Sequence, residues 1–224
     1  MRIVVCLHAP RGAGPATLGL DDAHALAAAL ALPGEHTVTA LLAGLSSEDA
    51  PLHRALAAGV GRAVRVVGED FGSADFHTLG QALGTAVKRV GADLVLAGAR
   101  SVDDGLDAVP AALARQVGAQ FVACAEGVAP GTGSSVELTV RGGGRRRRVA
   151  VPTPAVVSVI ASSRTAPALP DRPAEGRTID VISLVDPEAT VVRRRTELLG
   201  QPELPQRATE DVASADAFVA ALTR

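Results

Sequence analysis

The stretch GARSVDDGLDAVP, residues 98–110, gathers Arg100, Asp103, Asp104, Asp107 and two glycines into one short loop. It leaves an apolar run, DLVLA, and enters an alanine-rich segment, AALARQVG. Three chemistries compete for such a loop. A calcium site needs oxygen ligands at alternating positions and a closing glutamate, and VDDGLD has neither. A helix cap needs only one of Asp103, Asp104 or Asp107 to accept backbone N–H bonds at the start of the next helix. An anion site uses glycines to bring backbone N–H groups close to a phosphate, with the following helix N-terminus adding partial positive charge. Metal drops out on spacing; capping and anion binding stay open.

Other chemistry-bearing residues narrow the field. The five histidines lack metal-ligand spacing, and none has a Ser or Cys nucleophile arranged near it in the chain. No hydrolytic triad or acid–base pair can be named, which argues against a self-contained catalyst. Cys6 and Cys124 lie inside apolar runs, IVVCL and FVACA, and read as buried thiols in a reducing compartment. The run RGGGRRRR (141–148) would alternate across a strand, so half of its arginines face each side. With a net charge of −2, that run reads as a solvated or partner-facing hairpin rather than a nucleic-acid site.

These residues need elements to hold them. RIVVCL (2–7), HTVTALL (36–42), RAVRVV (62–67), DLVLA (93–97) and FVACA (120–124) are short apolar runs of the buried-strand type. Between them lie helical patterns: 21–32, a segment opened by a capping-box-like Ser46–Asp49, 73–90 capped by Ser73, and a helix ending near Val117. Strands alternating with helices predict an α/β, doubly wound, mostly parallel sheet of flavodoxin-like or adenine-nucleotide α-hydrolase-like layering. Ligands of such sheets bind beyond the strand carboxyl ends, where three glycine-bearing loops leave: 8–19, Ala43-Gly44 and 98–107. A phosphate-bearing small molecule is the reasoned expectation, although neither GxGxxG nor GxxxxGK[ST] is present.

The pattern then changes. SVELTV (135–140) and RRRRVAV (145–151) predict a β-hairpin, and PAVVSVI (154–160) a further strand. Residues 1–184 are expected to form the nucleotide-binding domain. Residues 185–224 read as a charged, proline-bearing arm ending in a short helix, 214–222, capped by Ser214, and suited to lie on a partner subunit. No apolar run reaches spanning length and no leader pattern opens the chain, so a cytoplasmic protein without membrane insertion is expected. The four Phe, with no Tyr and no Trp, cannot build an aromatic cage, so a flat cofactor would need another chain to hold its ring.

The order of RIVVCLHAP, GLDDAHALAAAL, RALAAGVGRAVRV, DLVLAGARSVDDG, the hairpin into VPTPAVVSV and a late ALP resembles the β subunit of electron transfer flavoprotein over essentially the whole chain. In that family the second segment reads like NPFDEYALEEAL and the loop like GxQSIDGDTGQVG. The resemblance implies a heterodimer with an α subunit that carries most FAD contacts. It also implies that this subunit binds AMP, or a second FAD, and that the complex carries electrons from a dehydrogenase to a quinone reductase or similar acceptor.

Carried over by position, the pocket would take Cys6 and His8 after the first strand, and Gly19, Leu20, Asp21 and Asp22 from the NPFD-like segment. Ala43 follows the second strand. From the main loop come Gly98, Arg100, Ser101, Val102 and Asp103, then Asp104, Gly105, Leu106, Asp107, Ala108 and Val109. Asp103 matches the family Asp directly. Arg100 and Ala108 each replace a Gln and Leu106 a small polar residue, so the phosphate end is altered. Arg100 either takes over phosphate binding with its guanidinium fork or forms a surface ion pair with Asp103 or Asp104. The family's dehydrogenase-docking loop, LxLNEPRYxxLP, reads here ASSRTAPALP, shorter and without its anchoring leucine, which points to a different electron donor. Two other readings stand beside the carrier: a stand-alone adenine-nucleotide-binding regulator, and a structural subunit with a degenerate pocket.

Overall fold

The computed structural model describes residues 1–9, 18–68, 71, 74–100, 108–163, 165–170 and 176–184. All of them fall in one compact unit, Met1–Arg194. The central loop Ser101–Asp107, the proposed cap Ser73, and the C-terminal arm with its Ser214-capped helix lie outside the described residues.

The chain runs β1 (Arg2–Leu7), α1 (Leu20–Ala31), β2 (Thr37–Ala43), α2 (Ala50–Ala58), β3 (Arg62–Val67), α3 (Phe76–Val90), β4 (Leu94–Gly98) and α4 (Val109–Val117). It continues through β5 (Gln120–Pro130), β6 (Ser135–Gly142), β7 (Arg145–Pro152), β8 (Ala155–Val159) and β9 (Ile179–Ser183). The strands form one sheet in the order β7-β6-β5-β8-β4-β1-β2-β3-β9. Pairing is parallel except in the β5–β6–β7 meander. The expected doubly wound α/β fold is present.

Strand alternation divides the core into two layers. Ile3, Val5 and Leu7 of β1 pack with Leu26 and Ala29 of α1 and Leu52 and Leu56 of α2. Val4 and Cys6 face the other way, onto Leu83, Ala86 and Val87 of α3 and Leu113 of α4. Helices α1 and α2 therefore cover one face of the sheet, and α3 and α4 the other. The chain leaves β1 toward the first face and β4 toward the second, although β1 and β4 are neighbours. That divergence is the topological switch point, where a crevice opens beyond the strand carboxyl ends.

Local chemistry corrects several expected boundaries. The cap of α3 is Asp75, whose carboxylate accepts from Thr78 N at 2.8 Å, rather than Ser73. The N-cap of α4 is Ala108, so none of Asp103, Asp104 or Asp107 holds the capping position. Pro110 in the first turn supplies a pre-set φ instead. Ser46–Glu48 forms a separate 3-10 turn, closed by the Glu48 carboxylate accepting from Leu45 N at 2.7 Å. Asp49 is drawn to Arg65 of β3. Gly59 ends α2 at φ 109°, a left-handed conformation open to glycine at no steric cost.

Two strands exceed expectation. β5 runs on to Pro130 because a bulge between Val122 and Ala125 lets it switch partners, from parallel β8 to antiparallel β6. Cys124 sits in that bulge at φ 56°. β9, IDVIS, was not expected: it is short, half-exposed and lacks a buried-strand signature, and it is recruited by pairing with the β3 edge.

Candidate functional site

At the switch point a small cleft opens to solvent. Cys6, Leu7 and His8 reach it from the end of β1, Ala43 from β2, and Ala97, Gly98 and Arg100 from β4. Leu79 and Leu83 of α3 and Val109 and Pro110 of α4 form its apolar side, and Asp22 closes it from α1. The structure thus brings together Cys6, His8, Asp22, Ala43, Gly98, Arg100 and Val109. Gly19, Leu20, Asp21 and Ala108 are not among its lining residues. Ser101, Val102, Asp103, Asp104, Gly105, Leu106 and Asp107 lie outside the described residues.

Two adjacent carboxylates at the start of α1 hold this edge together. Asp22 is 7% exposed and accepts from His8 N at 3.0 Å and Gly98 N at 3.1 Å. One side chain therefore pins the carboxyl ends of β1 and β4, the two strands that diverge. Gly98 must be glycine for this contact, because a Cβ there would sit 2.4 Å from Asp22 Oδ1. Burial pushes the Asp22 carboxyl up to about 6, against the pull of the two backbone amides.

Asp21 is 3% exposed and faces different partners. Arg100 donates to it through a fork, Nε to Oδ2 at 2.9 Å and Nη2 to Oδ1 at 3.0 Å. Ala161 N, just past β8, donates to Oδ1 at 2.8 Å. Burial works against the Asp21 charge, but the guanidinium and the amide prevail and hold its carboxyl below the usual range. Among the described residues the Arg100 ion pair is made with Asp21; Asp103 and Asp104 lie outside them. The segment opened by Ala161 then crosses α1, where Thr165 O meets His24 Nε2 at 3.3 Å.

This pair yields a direct expectation. Arg100→Ala leaves a buried carboxylate with backbone donors alone, at Ala161 and at residue 100. Lost charge-assisted bonds cost about 1.5–3 kcal/mol, toward the lower end here because the Arg100 side chain is 54% exposed. A depressed folded-state pKa stabilises above the unfolded value and loses that contribution as pH falls through the folded one. The gap between wild type and Arg100→Ala should therefore be full at pH 7 and close below about pH 4. Urea titrations at pH 7 and pH 3 check this; a gap of equal size at both would refute the charge pairing.

Cys6 is a poor nucleophile at this site. Burial, reinforced by the nearby Asp22 charge, pushes its thiol up to about 12, so it stays protonated and packs as an apolar group. Among the described residues no cluster of three His, Cys, Asp or Glu could hold a metal ion. The cleft has apolar walls from Leu79, Leu83, Val109 and Pro110, and His8 is the one aromatic ring among its described lining residues. The backbone N–H groups of His8 and Gly98 are taken by Asp22, and Arg100 is engaged by Asp21.

Against this geometry, the model of the electron transfer flavoprotein domain family matches residues 13–187, well over half of the chain. The chain belongs to the electron transfer flavoprotein domain family. A search of curated proteins gave no match. Sequence reading weighed Asp103 and Asp104 as ion-pair partners of Arg100 and missed Asp21, 79 residues away in the chain. Among the described residues no helix is long and apolar enough to cross a membrane.

Proposed function

We propose that this chain is the β-type subunit of a two-subunit electron transfer flavoprotein, binding an adenine nucleotide in the switch-point cleft. The observation that carries this reading is the convergence of Cys6, His8, Asp22, Ala43, Gly98 and Val109 on one cleft, at positions that match the family's nucleotide pocket. That nucleotide is AMP or a second FAD, as the family resemblance implies. FAD, held mainly by the α subunit, supplies the electron-accepting and electron-donating chemistry. The residues of this chain do the rest: Asp22 fixes the strand ends that frame the cleft, and Leu79, Leu83 and Val109 exclude water from the base. The arm 185–224 lies on the partner. The donor is a dehydrogenase other than the usual one, because ASSRTAPALP lacks the anchoring leucine, and the acceptor is a quinone reductase or similar protein. The setting is cytoplasmic.

A second reading has its own support. Arg100, which stands in place of a family Gln, is tied to Asp21 rather than left free for a phosphate, which favours a structural subunit whose pocket no longer holds nucleotide. Co-production with a flavin-carrying partner subunit separates the possibilities. A yellow heterodimer containing one adenine nucleotide beyond the partner's FAD is the expected product. A yellow heterodimer without that nucleotide supports the structural subunit. A stable colourless monomer that binds AMP or ATP alone would overturn the carrier in favour of a stand-alone regulator.

A further inference from the structure

The arginine run Arg145–Arg148 forms the first half of β7, an edge strand of the sheet, and the pleat divides it in two. On one face Arg146 Nε meets Glu126 Oε2 at 2.7 Å, and Arg141 Nε meets Glu126 Oε1 at 2.6 Å. The Glu126 side chain is only 6% exposed, clamped between the two guanidinium groups. Arg148 Nη1 lies 3.6 Å from Glu137 on the same face. That face is supplied with carboxylates, two for its three guanidinium groups.

The other face is not. Arg145 and Arg147 stand opposite Gly142 and Val140 across the hairpin, and Val149 stands opposite Leu138. Near the sheet centre this face is core, with Val136, Leu138 and Val151 buried. Toward the hairpin tip it opens into a groove lined by Val122, Val140 and Val149 and flanked by Arg145 and Arg147. Val149 is 39% exposed there. Among the described residues, no carboxylate pairs with Arg145 or Arg147.

We infer that this face of the β6–β7 hairpin is a docking surface for an acidic, extended segment of a protein partner, whose carboxylates meet Arg145 and Arg147 while its apolar residues cover Val122, Val140 and Val149. Edge strands carry charge to prevent pairing with other chains. That accounts for cations on β7, but not for carboxylate partners on one face alone while, among the described residues, two cations on the other stand beside an apolar strip that nothing covers. Charge complementarity selects an acidic occupant, and the strip selects one with apolar side chains, hence a polypeptide. Nucleic acid fits poorly, because half of the run is already neutralised by Glu126 and Glu137 and the groove offers no aromatic side chain for base stacking. The groove shares no lining residue with the switch-point cleft, so this docking is independent of what the cleft binds.

The test uses the full chain and two labelled synthetic peptides with blocked termini, one alternating Glu and Val, the other Gln and Val. Fluorescence anisotropy at low salt should show the Glu–Val peptide binding at least tenfold tighter than the Gln–Val peptide, with affinity falling as salt rises. Arg145→Glu combined with Arg147→Glu should weaken it at least tenfold with an unchanged thermal midpoint, while Arg148→Gln changes it less than twofold. Equal binding by the double variant, equal binding of both peptides, no binding of either, or tighter binding of a single-stranded oligonucleotide would overturn the assignment. So would self-association that the double variant abolishes, since the occupant would then be a second copy of this chain.

Discussion

Asp22→Ala should destabilise the domain by roughly 2–4 kcal/mol, because it strands two partly buried backbone donors, His8 N and Gly98 N, at about 1–3 kcal/mol each. The effect should exceed that of any exposed carboxylate, and urea denaturation will measure it. The same residue predicts a pH dependence of unusual sign. Its folded carboxyl sits at about 6, above the ordinary 3.8. Between those values the folded chain keeps a proton that the unfolded chain has lost. Its contribution to stability is therefore greatest below about pH 4 and declines until about pH 6, by roughly 3 kcal/mol at 1.36 kcal/mol per unit. Asp22→Asn cannot titrate. The stability difference between wild type and Asp22→Asn should shift against wild type across pH 4–6 and stay level above it. A flat difference across that window would show that the two amides, not burial, govern the group.

Gly80→Ala should be the most damaging single-methyl insertion in the helical layers. Gly80 and Gly84 lie on one face of α3, four residues apart, where the helix meets α4. A Cβ at Gly80 would fall 2.4 Å from Ala112 Cβ and 3.0 Å from both Ala112 C and Leu113 N, which are backbone or backbone-bound atoms that cannot swing aside. Overpacking of this kind costs about 1–3 kcal/mol, more than enough to cancel the gain of up to about 1 kcal/mol from replacing a helical glycine. At Gly84 a Cβ would fall 2.5 Å from Gln116 Cγ and 2.7 Å from Gln116 Cβ, but no closer than 3.5 Å to a backbone atom, Leu113 O. Gly84→Ala, which meets no backbone atom at clashing distance, should therefore cost less. Because Leu79 and Leu83 of α3 and Val109 and Pro110 of α4 line the cleft, splaying the helices should also weaken nucleotide binding. Thermal unfolding and a binding titration on the two variants check both effects; equal costs at Gly80 and Gly84 would contradict the packing account.

Much of the architecture was readable because its causes are local. Continuous apolar runs such as RIVVCL and DLVLA have no other stable place than a sheet covered on both faces, and Gly59 and Gly91 end helices where the periodicity stops. Boundaries differed where a later residue supplied the cap, as Asp75 does at α3 by accepting from Thr78 N. β9 was invisible because its stability comes from the β3 edge rather than its own sequence. At the site, the cleft's outline followed from strand ends and glycines, but the two carboxylates of α1 did not disclose their roles. Adjacent in sequence, Asp21 and Asp22 turn to different partners, one to Arg100 and Ala161, the other to His8 and Gly98. Those partners lie 14 to 140 residues away. Such pairings emerge only when the strands are laid side by side. The resemblance supplied positions, yet only the fold could show that Arg100 is already occupied.

The central claim is that the switch-point cleft holds an adenine nucleotide within a flavin-carrying heterodimer. The most direct measurement is the nucleotide released by denaturing the purified complex, identified and counted per chain, for wild type and for Leu83→Trp, which would fill the cleft. One AMP, or one FAD beyond that of the partner, is expected per wild-type chain, with its loss in Leu83→Trp while the partner's flavin remains. A complex that carries its flavin but releases no second nucleotide, or one that releases it equally from Leu83→Trp, would contradict the account.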